Sequence, residues 1–330
     1  MGMKRHTVAM LASLAVGLAL HSIRATPELG LFRAPAPHWG WPRLPAPRFE
    51  AIAPGLHRMD APWYVTPWHK ETLALFALQL GPSRWAVSDA GGYDTWLHPH
   101  ATGVLRAVEQ LVGPGGELSF VLLSHGHLDH VGALPLLLKR YPGCRVVYHA
   151  AETPYLIHGR SWTGGPWWRG GSPGLWLAHA LGMLPRHQNV VPAERTIPLT
   201  GASGALDAHG LKGVTWHHTP GHAPSHVIYI QASTGIALGG DLADLMLDPP
   251  GVAALPDGRA LTAGEPVLFT LTVMDGANAS VAKASLCRVA YDTRLAWKTI
   301  RLYHDATKQG LTRPAFQKLA EQAAKCKGQA

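Results

Sequence analysis

Apolar residues in this chain fall mainly into short runs that are separated by turns rich in glycine and proline. Runs of this kind between turn residues predict β-strands. The predicted strands lie at 51–56, 72–80, 84–88, 118–123, 145–149, 213–216, 227–238 and 299–305. Helical spacing is found at 104–112, after residue 130, and at 313–325. A chain of 330 residues with this mixture of elements favours one large α/β domain.

The first 25 residues have the pattern of a signal peptide. A basic head, Lys4-Arg5-His6, precedes an apolar stretch at 7–20, and Ile23-Arg24-Ala25 offers a cleavage site. The apolar stretch is shorter than the ~18–20 residues that span a bilayer, so cleavage and export to the periplasm or the extracellular space are favoured over an uncleaved membrane anchor. The proline-rich residues 26–50 then predict an extended arm.

The net charge of +8 is concentrated near the C-terminus, where residues 276–330 hold ten lysines and arginines against three acidic residues. A basic, solvated helix within 311–330 accounts for this excess. Nucleic-acid binding is the alternative, but the chain has no basic stripe interleaved with aromatic residues, so no nucleic-acid partner is expected. Three widely separated cysteines, Cys144, Cys287 and Cys326, permit one disulfide without selecting the pair.

The sequence Ser-His-Gly-His-Leu-Asp-His at 124–130 carries the clearest chemistry. It places His125, His127, Asp129 and His130 directly after a predicted buried strand. So many titratable groups at the end of a core strand are costly to desolvate unless something binds them. Imidazole and carboxylate ligands suit zinc, iron or manganese. A histidine-rich surface loop is the alternative interpretation.

The spacing of these residues allows a second ion beside the first. In extended backbone His125 and His127 project to the same side and can chelate one ion together. A helix that begins near Asp129 would direct Asp129 and His130 toward a second ion. Three further candidates, His222, Asp241 and His304, each follow an apolar run, which is where α/β sheets place their sites.

Four motifs in this order resemble the metallo-β-lactamase superfamily, in its glyoxalase II and lactonase-like branch. They are His-x-His-x-Asp-His at 125–130, Thr-Pro-Gly-His at 219–222, Gly-Gly-Asp at 239–241 and His-Asp at 304–305. Val87-Ser-Asp-Ala-Gly-Gly92 is similar to the aspartate of that family's early strand end. The resemblance spans roughly residues 50–310. It implies a four-layer αββα sandwich, with a domain at 51–310.

The resemblance also implies the ligand set. His125, His127 and His222 would hold one divalent metal, and Asp129, His130 and His304 would hold a second, with Asp241 bridging the two. Zinc is the expected metal, with iron or manganese as alternatives. Neighbouring polar residues are expected to support these ligands: His226 by packing, and Asp89, Asp244 and Asp305 by hydrogen bonding. His217 and His218 are not expected to ligate.

Residues 152–190 form an insertion between the ligand motifs. Its tryptophans could line a substrate pocket, or they could pack the insertion onto the domain. They are Trp162, Trp167, Trp168 and Trp176. A second variable segment, at 248–265, follows Asp241 and could form another rim of the cleft.

These features predict an exported, dinuclear metal-dependent hydrolase. A hydroxide bridging the two metals would attack a small, fairly apolar ester, lactone or thioester, and Asp129 would transfer a proton. One alternative is a mononuclear iron dioxygenase of the persulfide type, which shares most of the ligands. The other is a non-catalytic metal-binding relative. The expected partner is a small-molecule substrate, with membrane association only if the N-terminal segment stays uncleaved.

Overall fold

The fold was analysed in a computed structural model that describes residues 46–66, 69–94, 99–159, 191–247, 262–270 and 277–326. Within these ranges no helix is both long and apolar enough to cross a membrane. The predicted signal segment 1–25 and nearly all of the predicted arm lie outside them. So do the four tryptophans of the insertion and most of the loop 248–265.

The N-terminal half of the fold is a seven-stranded sheet in which the strands follow one another in sequence order. The first four strands pair antiparallel, and β4 to β7 pair parallel. The strands are β1 (Glu50–Ala53), β2 (Leu56–Thr66), β3 (His69–Gly81), β4 (Arg84–Ser88), β5 (Glu117–Leu122), β6 (Arg145–His149) and β7 (Thr196–Leu199).

The C-terminal half contains a six-stranded sheet and a two-stranded ribbon. The strands are β8 (Ser203–Ala205), β9 (Val214–His218), β10 (Val227–Gln231), β11 (Ile236–Leu238), β12 (Asp244–Leu247), β13 (Pro266–Phe269), β14 (Thr299–Arg301) and β15 (Leu311–Thr312). The sheet order is β15-β14-β11-β10-β9-β8, and β12 pairs with β13 in the ribbon. Parallel pairing of β11 with β14 brings the ends of both strands to one edge of the sheet.

Helices cover the outer faces of the two sheets. They are α1 (His100–Val112), α2 (Leu128–Val131), α3 (Leu134–Arg140), α4 (Thr153–Leu156), α5 (Ala279–Tyr291) and α6 (Arg313–Ala324). Short 3-10 helices occur at Ala150–Glu152, Ala193–Arg195 and Asp207–His209. Helix α6 follows β15 directly and buries Phe316, Leu319 and Ala320, so the basic C-terminal helix is packed onto the domain.

Three separate hydrophobic clusters show that the layers are stacked as an αββα sandwich. One joins the first sheet to α1 and α3, one joins the second sheet to α5 and α6, and the third lies between the sheets. Side chains alternate along β3, where Leu73 and Leu75 face the helices and Ala74 and Phe76 face the other sheet. Because β3 is apolar on both faces, it is buried on both. The expected fold class is confirmed.

Two predicted strands are corrected by the turns within them. The run 51–56 is divided by a tight turn at Gly55, whose positive φ of 69° favours glycine, and a longer strand, β2, begins at Leu56. The run 227–238 is a hairpin of β10 and β11, which turns at Gly235 with φ 67°. Continuous apolar patterns therefore hid two reversals of chain direction. The run 299–305 is also shorter as a strand, since β14 ends at Arg301.

A disulfide joins Cys287 in α5 to Cys326, just after α6. It closes a loop of 39 residues and fastens the last described helix to its neighbour. Cys144 is the remaining thiol. It is fully buried against the first sheet, and burial raises the pKa of its thiol to about 12.

Thiol counting tests this arrangement. We expect the native protein to show no thiol that reacts at about pH 8, because the Cys144 thiol is buried and its pKa is about 12. Denaturant without reductant should expose one thiol per chain, and denaturant with reductant all three. Three reactive thiols without reductant would contradict the disulfide, and rapid labelling of the native chain would contradict the burial of Cys144.

Candidate metal centre

The seven candidate ligands are carried by loops at the ends of four strands. His125, His127, Asp129 and His130 lie in the loop after β5 and in the short helix α2. His222 follows β9, Asp241 follows β11 and His304 follows β14. The structure therefore brings together all seven residues singled out in the sequence, although they are spread over 180 positions of the chain.

Three imidazoles form the first group. Nε2 of His222 lies 3.1 Å from Nε2 of His125 and 2.8 Å from Nδ1 of His127. All three rings are buried, at 6% exposure or less. Three imidazole nitrogens converging on one point form a donor set that suits a divalent transition metal.

Two imidazoles and two carboxylates form the second group. Oδ2 of Asp129 lies 3.5 Å from Nε2 of His130 and 3.3 Å from Nε2 of His304. Oδ2 of Asp241 lies 3.2 and 3.6 Å from the same two nitrogens. The four ligand atoms lie within 4.8 Å of one another and could also hold a metal ion.

Asp241 connects the two groups. Its Oδ2 is 3.3 Å from Nε2 of His222 and 3.9 Å from Nε2 of His125, in addition to its contacts with the second group. Its Oδ1 is buried without a hydrogen-bond partner among the described residues. A buried carboxylate oxygen of this kind fits a position beside a cation, because leaving it without a partner is costly.

Two glycines allow the loops to approach this closely. Gly240 has φ 50°, and a Cβ there would lie 2.5 Å from Cβ of Ser124 and 2.9 Å from Nε2 of His226. Gly221 has φ 137°, and a Cβ there would overlap the backbone of Ala282 in α5. Each glycine directly precedes a candidate ligand, so any side chain at these positions would displace Asp241 or His222.

Asp89 orients the first loop from the end of β4. Its Oδ1 accepts hydrogen bonds from the backbone N–H and the hydroxyl of Ser124, at 2.9 and 3.0 Å, and lies 3.3 Å from Nδ1 of His130. Since the Ser124 proton goes to this carboxylate, the hydroxyl oxygen accepts from Nδ1 of His125 at 3.0 Å. Asp89 thus has the supporting role expected from the sequence, and the Nε2 atoms of both rings face the centre.

His226 supports Asp241 and does not ligate in this geometry. Its Nε2 accepts the backbone N–H of Asp241 at 3.0 Å, so its Nδ1 carries the proton and contacts the Thr219 hydroxyl at 2.7 Å. Burial lowers the pKa of His226 to about 3, which keeps the ring neutral. His226 is therefore packed and hydrogen-bonded, in agreement with the expectation.

The other polar neighbours also lie outside the two groups. Asp305 accepts hydrogen bonds from Arg58 and from the backbone of its own turn. Asp244 begins β12, where burial raises the pKa of its carboxyl to about 7, although the nearby His304 opposes the shift. His217 and His218 end β9, and the His218 ring stacks on His149 at 3.9 Å, away from the ligands.

Sequence reasoning missed two residues at this centre. The Tyr303 hydroxyl donates to the backbone carbonyl of Asp129 at 2.6 Å, and its ring lies 4.0 Å from the His130 ring. Glu152 is fully buried between the loop after β5 and the loop after β9. Tyr303 could have been inferred from its place beside His304, but no local pattern distinguishes Glu152.

The two groups differ in their charge. Burial, and then the neighbouring imidazoles, lower the pKa values of His125 and His127 well below the ordinary value, so these rings are neutral. Burial also disfavours charge on His130 and His304, but the carboxylates of the second group outweigh it and raise both pKa values well above the ordinary value. In the metal-free protein the second group therefore holds protons that a metal would displace.

Comparisons with known proteins agree with this geometry. Residues 81–244 match the family model described as the metallo-beta-lactamase superfamily. The probable metallo-hydrolase YflN of Bacillus subtilis is 27% identical over 191 residues, which are 57% of this chain and 66% of that relative. The chain thus spans slightly less than two thirds of this relative's length.

Two solved structures share the fold. The structure of TMB-1 gives a TM-score of 0.51 at 12% identity, covering 84% of this chain and 98% of that one. The metallo-β-lactamase FIM-1 from Pseudomonas aeruginosa, in its mono-zinc form, gives 0.50 at 17% identity, covering 86% and 98%. At these identities the likeness concerns the fold alone.

The charge difference predicts an order of metal loss on acidification. On acidification, a metal held by the second group should dissociate before one held by the three-histidine group, because His130 and His304 take up protons at higher pH than His125 and His127. Calorimetric titration of metal-free protein in buffers of different ionisation enthalpy should show more protons released by one metal equivalent than by the other. Equal proton release by the two metal equivalents would contradict the difference in protonation between the two groups.

Proposed function

We propose that this protein, a metallo-β-lactamase superfamily member by its family-model match and its fold, is a dinuclear metal-dependent hydrolase. His125, His127 and His222 would hold one ion, and Asp129, His130 and His304 the other, with Asp241 between them. Zinc is the metal we propose, because the donors are imidazoles and carboxylates. The seven residues of this proposal are the ones predicted from the sequence.

The single observation that carries the proposal is the position of Asp241 Oδ2. It lies within 3.9 Å of four imidazole nitrogens, two from each group. One carboxylate oxygen shared by two complete ligand groups is the arrangement expected for a bridge between neighbouring ions. A single-ion site would leave one group of buried titratable side chains without a function.

Bound divalent ions would supply Lewis acidity and would lower the pKa of bound water into the neutral range. The protein's own contribution is to hold the ions at fixed positions and to accept a proton. Asp129 is suited to the second role because its side chain is 16% exposed, whereas that of Asp241 is 3% exposed. Contacts with His130 and His304 outweigh burial and lower the pKa of Asp129, so it is ionised at neutral pH.

We propose a small, fairly apolar ester, lactone or thioester as the substrate. The ribbon strand β12 begins at Asp244 beside His304 and presents the side chains of Met246 and Leu247, which are 38% and 40% exposed. Large apolar side chains exposed on a strand that begins beside a candidate ligand favour an apolar group on the substrate. The Bacillus subtilis relative is a probable metallo-hydrolase, which supports hydrolysis as the type of reaction.

We also propose that the protein is exported, with residues 1–25 as the signal peptide. The disulfide between Cys287 and Cys326 supports this, because structural disulfides persist mainly in oxidising compartments.

Metal analysis combined with a substrate screen tests the function. We expect two divalent ions per chain and hydrolysis of at least one lactone, ester or thioester that a chelator abolishes and zinc restores. Activity that resists complete metal removal would contradict the proposal. One iron per chain with oxygen uptake would favour a persulfide-type dioxygenase instead, and two tightly held ions without any hydrolysis would favour a binding protein.

Substitution of Asp129 tests its proposed role. Asp129→Asn should lower kcat by roughly 10²–10⁴-fold, since it removes both a ligand charge and the proton acceptor. The control is Asp94→Asn, an exposed aspartate whose hydrogen bonds within the described part of the chain come from Thr102. This control should retain full activity. Wild-type turnover by Asp129→Asn would exclude Asp129 from catalysis.

A further inference from the structure

Glu152 is a buried carboxylate that contacts two ligand loops at once. It ends the 3-10 helix Ala150–Glu152, and none of its surface is exposed. Its Oε2 accepts the backbone N–H of Gly126 at 3.1 Å and also accepts the hydroxyl of Ser225. Gly126 lies between His125 and His127, and Ser225 lies in the loop that carries His222.

The position of Glu152 follows from the parallel sheet. Strand β6 pairs with β5 in parallel, so the turn after β6 lies beside the loop that follows β5. The His149 ring then caps the 3-10 helix by accepting the N–H of Ala151 at 3.3 Å. The same ring stacks on His218, at the start of the loop that leads to His222. His149 and Glu152, three positions apart, therefore both contact the segment around His222, and Glu152 also contacts the loop after β5.

Space around Gly126 is restricted by the same carboxylate. A Cβ at residue 126 would overlap the Glu152 side chain. The peptide between His125 and His127 is thus held against Glu152 by a hydrogen bond, with no room for displacement toward it. Because charged buried groups need such partners, Glu152 and the two loops stabilise one another.

We propose that Glu152 is a positioning residue for the three-histidine group, which sets the separation of His222 from His125 and His127 and so the metal affinity of that group. It acts through Gly126 and Ser225 and does not itself ligate. The hydrogen bonds of Glu152 to Gly126 and Ser225 connect the loop of His125 and His127 to the loop of His222. We therefore expect its effect to be largest on the three-histidine group. The inference rests on the proposed function, since it requires that the three histidines bind a metal.

Zinc affinity of full-length variants tests this role. A His304→Ala background leaves the three-histidine group complete and lets its affinity be measured by competition with a chromophoric chelator. In this background Glu152→Ala should weaken zinc binding by about 10–100-fold, the usual effect of removing a group that orients a ligand. Glu152→Gln should restore most of the affinity, because its amide oxygen can take the place of Oε2 and accept from both Gly126 and Ser225.

A matched control is Glu109→Ala, which removes an exposed glutamate that pairs with Arg140 at 2.6 Å. It should leave zinc affinity unchanged. If Glu152→Ala does not fold, Ser225→Ala carries the test, because it removes one of the two hydrogen bonds without opening a large cavity. It should weaken zinc binding in the same group, by less than Glu152→Ala.

Three results would overturn the inference. In the first, Glu152→Ala and Ser225→Ala bind zinc with an affinity within about twofold of the background protein. That change is far smaller than the roughly 10–100-fold loss expected when a group that orients a ligand is removed. The second is equal weakening of both zinc equivalents in otherwise wild-type protein, together with a lower Tm of the metal-free form, as for a purely structural residue. The third is absence of zinc binding by the wild-type protein, which alone would also overturn the proposed function.

Discussion

The structure depends on the close packing of seven titratable side chains at the point where the two sheets meet, five of them buried and two, Asp129 and His304, partly exposed. Desolvating so many imidazoles and carboxylates opposes folding unless their charges and lone pairs find partners. Asp241 reduces this cost because its carboxylate faces imidazoles of both groups. The strand ends, the glycine turns and the supporting hydrogen bonds all serve to keep this cluster together.

Two candidate ligands, His130 and Asp241, are each held by a residue at the end of a different strand from the one that carries them. Asp89 after β4 fixes Ser124 and His130, which follow β5. His226 before β10 fixes the backbone of Asp241, which follows β11. Each loop is thus held by its neighbours in the sheet, and the rigidity of the two sheets is transmitted to the ligands. This is the preorganisation that a metal centre requires.

The electrostatic division between the groups has a structural origin. The three-histidine group has no carboxylate of its own, and burial keeps the His125 and His127 rings neutral, with their lone pairs available. The second group has two carboxylates, which favour protonated imidazoles in the absence of metal. Two neighbouring ions held by different donors would therefore differ in charge environment, which suits one to orient a substrate and the other to polarise it.

The sequence by itself determined which seven side chains are the candidate ligands, because metal-binding side chains at the ends of apolar runs have a local signature in type, spacing and order. It also determined most strands, since their apolar patterns repeat over a few residues. Only the tertiary structure decided that Cys287 pairs with Cys326, that the run 227–238 turns back as a hairpin, and that Glu152 joins loops 26 and 73 residues away. The disulfide and the Glu152 contacts join segments that are distant in the chain, and such contacts leave no periodic pattern. The hairpin is a local turn, but it lies within a continuous apolar run that does not reveal it.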